Sequence, residues 1–411
     1  MGTSDLAQTS SLTIISGIPA GDSGTGRFIA HLQQRIAELR NKRVNLIFRP
    51  EPPAPWQIKL WLREKAYRRV LVHLSCYIYL WLKFWISLGR VWPKQSQVFM
   101  LLHPQNLGYR LTLRLIESRV KPSFVYLLDS SFFCVASYNH LRGENGSCLR
   151  CLDLGFDQID KNGCRPFPRP DWTAVEFVLR LRELVRTGRV RIAAQNLHQA
   201  ELAQRHFGLD MLPPVVGLWT QDWDETFSSI FRSSSRINRS AYSWDVLFHG
   251  HCLDAKGASW IANVAEHSSN LRFMFPFAKP DWLAAPANCS FVPCTWENGL
   301  RDEIERSRFV IVPSLWSAPI EGALVKSIAC AEAVIVVKNP TSFCDELPDE
   351  IVLKLSPHPP TAAAELMRAY ENDWRPNTDD KTRWLAAFST TKQTFVRDLF
   401  CVALGSCDIS G

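Results

Sequence analysis

Two trains of short, β-branched apolar runs occupy the two halves of this sequence, and each run is followed by a helix-length amphipathic stretch. In the first half the runs are Leu12–Ile15, Val44–Phe48, Gln97–Leu102, Ser123–Leu128 and Val190–Ala194. In the second they are Asp245–His249, Leu271–Phe275, Arg308–Val312 and the run ending at Val337. This alternation predicts parallel sheets with right-handed helical crossovers. Between the two trains Pro213-Pro214 breaks the periodicity, and the polar, basic stretch Phe231–Ser240 has linker character. At 411 residues the chain is long for one core. The expected fold is α/β, with two doubly wound, Rossmann-like domains facing each other across a cleft. Residues 1–215 form the first domain, with a Cys-rich loop at 134–164, and 216–243 form a linker. Residues 244–380 form the second domain, and 381–411 a last helix with no strand after it.

Charge narrows the partners. The formal net charge is +7, and a basic surface can meet nucleic acid, anionic lipid or a diphosphate. No zinc-finger spacing with paired histidines, RNA-binding aromatic strand or long Lys/Arg run is present, so no nucleic-acid partner is expected. The arginines instead flank apolar segments: Arg63, Arg68 and Arg69 precede Val70–Leu88, and Arg90 follows it. That segment nears membrane-span length, yet His73 and Lys83 interrupt it, and Tyr77, Tyr79, Trp81 and Trp85 suit an interface. An in-plane membrane-surface helix, a buried core helix and a true span all fit the pattern, and the flanking cations favour the first. Residues 1–11 are polar and lack the basic-then-apolar order of a secretory signal. The expectation is a cytoplasmic protein, peripheral on the cytoplasmic membrane, whose 12 cysteines are mostly free or metal-bound.

Four of those cysteines, Cys134, Cys148, Cys151 and Cys164, crowd into one stretch, and Cys148-Leu-Arg-Cys151 has the spacing of a zinc knuckle. A structural zinc ion, free thiols or a disulfide would each suit this Gly-, Asn- and Asp-rich loop, which is short of apolar side chains.

Open α/β sheets bind ligands beyond the carboxyl ends of their strands, so the loops after the apolar runs carry the candidate site. After the first run comes Ser16-Gly-Ile-Pro-Ala-Gly-Asp-Ser-Gly-Thr-Gly26. Its glycines permit close backbone approach, and the following helix offers free N–H groups at its N-terminus. The spacing is not Gly-x-Gly-x-x-Gly, and a tight turn alone would use the same residues. The second train opens with Val246-Leu-Phe-His-Gly-His-Cys-Leu-Asp-Ala-Lys-Gly257, and a later loop reads Pro313-Ser-Leu-Trp-Ser-Ala-Pro-Ile-Glu-Gly-Ala323.

These loops resemble those of family-4-type retaining glycosyltransferases, which have the GT-B architecture. The Pro313 loop follows the family pattern Pro-Ser-x-x-(x)-Glu-Pro-Phe-Gly, four residues, Glu-Ala, but Ala318 stands at the first glutamate and Lys326 at the second. The Val246–Gly257 segment resembles the family's Gly-Arg…Lys-Gly motif, with His251 at the arginine position. Leu127–Cys134 resembles its His-Asp-x4-Cys segment, with Asp129 matched and Leu128 replacing the histidine.

The resemblance implies a nucleotide-sugar donor held by Gly24, Gly26, His251, Lys256, Gly257, Pro319, Gly322 and Ala323. Lys326 would supply positive charge to the diphosphate, and Glu321 would contact the sugar. Asp129 belongs to the catalytic set, and His103 and His140 lie on the acceptor side. No cofactor is required, because a donor phosphate oxygen can accept the acceptor's proton. The implied activity is transfer, with retention, to a glycolipid or polysaccharide-precursor acceptor. A sugar-nucleotide or glycan binder without catalysis is the alternative. A sugar-nucleotide epimerase is a weaker one, for want of a paired-carboxylate constellation in the cleft motifs.

Overall fold

The computed structural model describes residues 11–21, 23–38, 44–92, 97–168, 170–230 and 242–405. The polar N-terminus before Ser11 and the basic stretch Phe231–Ser240 lie outside the described residues. Among the described residues eleven strands, all paired in parallel, form two sheets. The first holds β1 (Leu12–Ser16), β2 (Val44–Phe48), β3 (Val98–Leu102), β4 (Ser123–Tyr126) and β5 (Val190–Ala193), in the order β2-β1-β3-β4-β5. The second holds β6 (Trp244–Phe248), β7 (Phe273–Phe275), β8 (Cys289–Phe291), β9 (Ser307–Val312), β10 (Ala333–Val337) and β11 (Leu353–Leu355), in the order β11-β10-β9-β6-β7-β8. Both orders reverse direction once, between β1 and β3 and between β6 and β9. Such reversals open a crevice beyond the strand carboxyl ends.

The central strands are buried on both faces, as fully covered parallel sheets require: β1, β3, β9 and β10 read as near-continuous apolar runs. The short strands β8 and β11 were not legible as runs, because Ser290 and Lys354 interrupt their apolar residues at the centre. Within the 216–243 segment the chain is not simply a tether. Trp219, Trp223 and Phe227 are buried, and the helix Asp222–Ile230 packs on the helix Gly322–Cys330 of the second unit.

The C-terminal helix, Thr378–Leu404, begins at Asn377, whose side-chain oxygen accepts from the Asp379 and Asp380 amides. Its first turn is tied to the second unit by Lys381 Nζ, which donates to the Ala331 carbonyl (2.6 Å). Its last turns bury Phe395, Leu399 and Phe400 and reach β3 and β5 of the first unit. Phe388, midway, packs against Trp219, Trp223 and Phe227, so the two crossings between the units share one aromatic cluster.

The helix Tyr67–Val91 is not a core helix. Only Val70, Phe84, Leu88 and Val91 are buried, so it is anchored mainly at its C-terminal end.

Candidate functional site

The site lies where both crevices meet. β6 ends at Phe248; the next residue, His249, donates its amide to Ile311 on β9, and the chain then turns through His251 to Lys256 and Gly257. Gly257 has φ +80°, and a Cβ there would sit 2.2 Å from the Pro313 carbonyl oxygen. Only glycine lets this turn close onto the Pro313 loop, and Leu315 N completes the contact by donating to the Ala255 carbonyl (2.9 Å). In the first unit Gly26 plays the same part. A Cβ there would meet the Gly21 backbone at 2.7 Å, and Ser23 Oγ accepts from its amide at the helix start. Gly24 faces open space.

Two cation–carboxylate pairs, each lying over an aromatic wall, dominate the electrostatics. Lys256 Nζ pairs with Glu321, whose second oxygen accepts from Ser314 Oγ; the Lys256 and Glu321 side chains are only 13% and 10% exposed. The same ammonium lies 4.6 Å from the Trp316 ring and 5.5 Å from that of Tyr138. Lys326 Nζ pairs with Asp222 (2.7 Å) and lies 4.2 Å from the Trp296 ring. Arg27, just after Gly26, donates to Asp222 (2.9 Å) and to Glu297 (2.5 Å), linking the first unit to the crossing segment and to the second unit.

Burial, then Lys256, pushes the His251 pKa down, so its imidazole is neutral near pH 7. His249 is fully enclosed, hydrogen-bonded to Ser327 and stacked over Trp296, and burial drives its pKa down to about 3. Burial likewise lowers the Lys326 pKa, against the opposing pull of Asp222. On Asp222 the attraction of Lys326 and Arg27 overcomes burial and lowers its pKa.

The sequence candidates therefore separate. His251, Lys256, Gly257, Glu321 and Lys326 converge on one cleft, with Pro319, Gly322 and Ala323 in the loop and helix start that frame it. Ala318 is buried, and its carbonyl accepts from the Phe343 amide. Asp129 uses both carboxylate oxygens inside the first unit, accepting from Gln105 Nε2 (2.7 Å) and the Ser131 amide (2.8 Å). His103 directly follows β3 with φ +52° and lines a small cavity with Gln105 and Asp129. His140 is held by the Gly146 carbonyl (3.0 Å) at the base of its own loop.

Four groups were missed by the motif reading. Arg27 is the first cation after the glycine turn, a position that could have flagged it. Trp316 lies inside the Pro313 loop, where an aromatic followed by the small residues Ser317 and Ala318 was the available signal; its indole N–H is buried without a hydrogen-bond partner. Asp222 and Asn139 left no such trace. Asn139, fully buried, accepts from the Ser317 amide (2.9 Å) and donates to Ser317 Oγ (2.9 Å), pinning the second unit's loop to the first.

The four clustered cysteines do gather, and neighbouring thiols help to raise the pKa of Cys134, Cys151 and Cys164. Burial is the larger cause; it carries Cys134 far above the usual thiol range and Cys151 to about 11. All four are free, and among the described residues no three His, Cys, Asp or Glu side chains are placed to hold a metal ion. As placed, the thiols do not fit a tetrahedral zinc set.

No protein-family model matches the sequence, and no curated protein matches it. Solved structures do match in fold over nearly the whole chain. Anabaena HepE in complex with UDP superposes with TM-score 0.55 at 11% identity, covering 97% of this chain and 100% of that one. A UDP-forming α,α-trehalose-phosphate synthase from Burkholderia vietnamiensis gives 0.55 at 9% identity, covering 98% and 100%. The sucrose-phosphate synthase of Thermosynechococcus elongatus gives 0.55 at 12% identity, covering 96% and 97%. The chain has the GT-B fold of these glycosyltransferases.

Proposed function

We propose that this protein is a retaining glycosyltransferase that takes a sugar from a nucleotide-diphosphate donor. The acceptor is a lipid-linked or polysaccharide-precursor saccharide at the cytoplasmic face of a membrane. One observation carries the reading: Arg27, His251, Lys256 and Lys326 converge at the crevice between two doubly wound sheets. HepE, which shares this fold, binds UDP. A diphosphate entering here meets several positive groups in a partly desolvated cleft, where each is worth more than in water. It displaces Glu321 from Lys256, which leaves that carboxylate free to accept hydrogen bonds from the sugar hydroxyls. Trp316 presents an unpartnered N–H beside them.

As the bond from the sugar's anomeric carbon to the diphosphate breaks, the cations hold the leaving group. The acceptor oxygen bonds to the same face of that carbon, and its proton passes to the departing phosphate oxygen. No side-chain base is needed, which agrees with the engagement of both Asp129 oxygens elsewhere.

A second reading, a nucleotide-sugar binder without turnover, is favoured by Ala318 and by the carboxylate already facing each lysine. Incubating the purified protein with a panel of nucleotide sugars, and following both melting temperature and nucleoside-diphosphate release, separates the two. Stabilisation with release supports the transferase. Stabilisation alone supports the binder, and neither response to any donor rejects both.

A further inference from the structure

The hairpin formed by the helices Pro55–Arg63 and Tyr67–Val91 has no counterpart in the site described above, and its surface is the most apolar the described residues expose. Leu71, Ile78, Tyr79 and Ile86 are 65%, 56%, 64% and 55% exposed, and Trp56 on the first helix is 65% exposed. In the most apolar 18-residue window of the longer helix only 6% is buried. Exposure of contiguous apolar surface on this scale marks a surface that something covers. The two helices pack on each other, with the Trp61 and His73 rings 4.5 Å apart, so the hairpin is a preformed unit.

Charge identifies the occupant. Glu64 is the only acid from Pro55 to Trp92, against Arg63, Lys65, Arg68 and Arg69 at the bend and Lys83 and Arg90 farther on. An open hollow of about 370 Å³ at the bend is lined by Ala66, Arg68, Arg69, Val72 and His73. Cations beside such a hollow suit a lipid phosphate, and exposed Trp and Tyr rings suit the headgroup boundary. We infer that this hairpin docks the protein on an anionic phospholipid bilayer, with the helices lying in the plane of the interface.

The helix is long enough to span a bilayer, but the placement of charge weighs against that orientation. Lys83 lies only about 20 Å from Arg69 at ~1.5 Å per residue, so in a span it would sit inside the ~30 Å hydrocarbon core. The far end of the helix is fixed to the protein body by Phe84 and Leu88. Both charged ends therefore stay at one interface while the apolar side chains between them enter the acyl boundary. The hairpin also leaves β2 at the carboxyl edge of the first sheet, the edge on which the cleft opens. Docking there would bring a lipid-linked acceptor to the acceptor side, a consequence that rests on the proposed transfer, whereas the docking itself does not.

The test is co-flotation of the full-length protein with vesicles of phosphatidylcholine alone or with 30% phosphatidylglycerol (about a third anionic lipid, enough to set a negative surface potential). We expect flotation with the anionic vesicles, a blue shift of tryptophan emission, and at least about tenfold weaker binding to the zwitterionic ones. Ile78→Ser with Trp81→Ser should abolish flotation, and Arg68→Glu with Arg69→Glu should weaken it at least about tenfold. These side chains are exposed, so folding is checked independently by an unchanged melting temperature and unchanged nucleotide binding in lipid-free buffer. Absence of wild-type flotation, or equal flotation by the folded Ser variant, overturns the inference. A lipid-free dimer that the Ser variant dissolves, without vesicle binding, assigns the surface to a second copy and overturns it as well. Flotation without donor turnover leaves the docking standing and removes only the transferase reading.

Discussion

Lys326 Nζ lies 2.7 Å from Asp222 Oδ2, with side chains only 5% and 17% exposed. The residue that occupies the second glutamate position of the family pattern is thus a buried cation with a carboxylate already beside it. That carboxylate comes from the segment joining the two units, and it also holds Arg27 of the first unit. Asp222→Asn should leave Lys326 and Arg27 underneutralised, which lowers the melting temperature and tightens nucleoside-diphosphate binding several-fold. Lys326→Met should weaken that binding by about tenfold or more, and Lys326→Glu further, because its carboxylate would face both Asp222 and the diphosphate. Calorimetric titration orders the variants. Tighter binding by Lys326→Glu would make this position a ribose acceptor instead.

The Lys256–Glu321 pair gives the complementary experiment. Removing the ammonium in Lys256→Ala should cost about 1.5–3 kcal/mol of donor affinity. Glu321→Gln removes the competing anion, so it should bind the nucleoside diphosphate more tightly yet transfer sugar more slowly. Measured affinity and turnover that fell together in Glu321→Gln would mean that the carboxylate holds the diphosphate site open rather than serving the sugar.

Gly257→Ala should destabilise the protein by about 2 kcal/mol or more, because it combines a left-handed backbone with a Cβ that strikes the Pro313 carbonyl. Gly24→Ala, facing open space, should stay within about 0.5 kcal/mol. Thermal denaturation of the two variants compares them directly, and similar losses would show that the Lys256–Pro313 contact is not rigid.

His206 and His249 are both enclosed, and burial holds each pKa down to about 3. Unfolding releases each to bind a proton near pH 6.5, so between about 6.5 and 3 the unfolded chain carries more protons. Stability should therefore be complete above that range and fall with acidification through it, by up to about 1.4 kcal/mol per pH unit for each histidine. His206 sits among Phe132, Phe133, Phe156 and Phe207, so His206→Leu should flatten the slope of denaturation midpoint against pH. An unchanged slope would place the acid response elsewhere.

The alternation of apolar runs was enough to read both sheets, because strands buried on two faces leave an unbroken β-branched signature. The strands β8 and β11 and the helix Asp222–Ile230 escaped it, since none produces an apolar run of its own. In the site, what showed in the sequence was residues carried on local turns: Lys256 with Gly257, and Glu321 at the end of its loop. Asp222 could not be read in this way. It acts on Lys326 across more than a hundred positions of chain, and spacing reports nothing about neighbours brought together only by folding. Asp129 shows the converse. It stood at a motif position, but the amide of Gln105 claims its carboxylate, a preference that no one-dimensional pattern displays.

The shared aromatic cluster of Phe388 with Trp219, Trp223 and Phe227 bears on how this molecule can move. A body held by one tether swivels freely, but here the chain passes between the units twice, and the passages are packed side by side. Packed together, they oppose free swivelling of one unit on the other. Any tilt that parts the units at Asn139 and Ser317 breaks the two hydrogen bonds between those residues. Those two hydrogen bonds are the catch on such an opening, because they join the loop after β9 to the first unit.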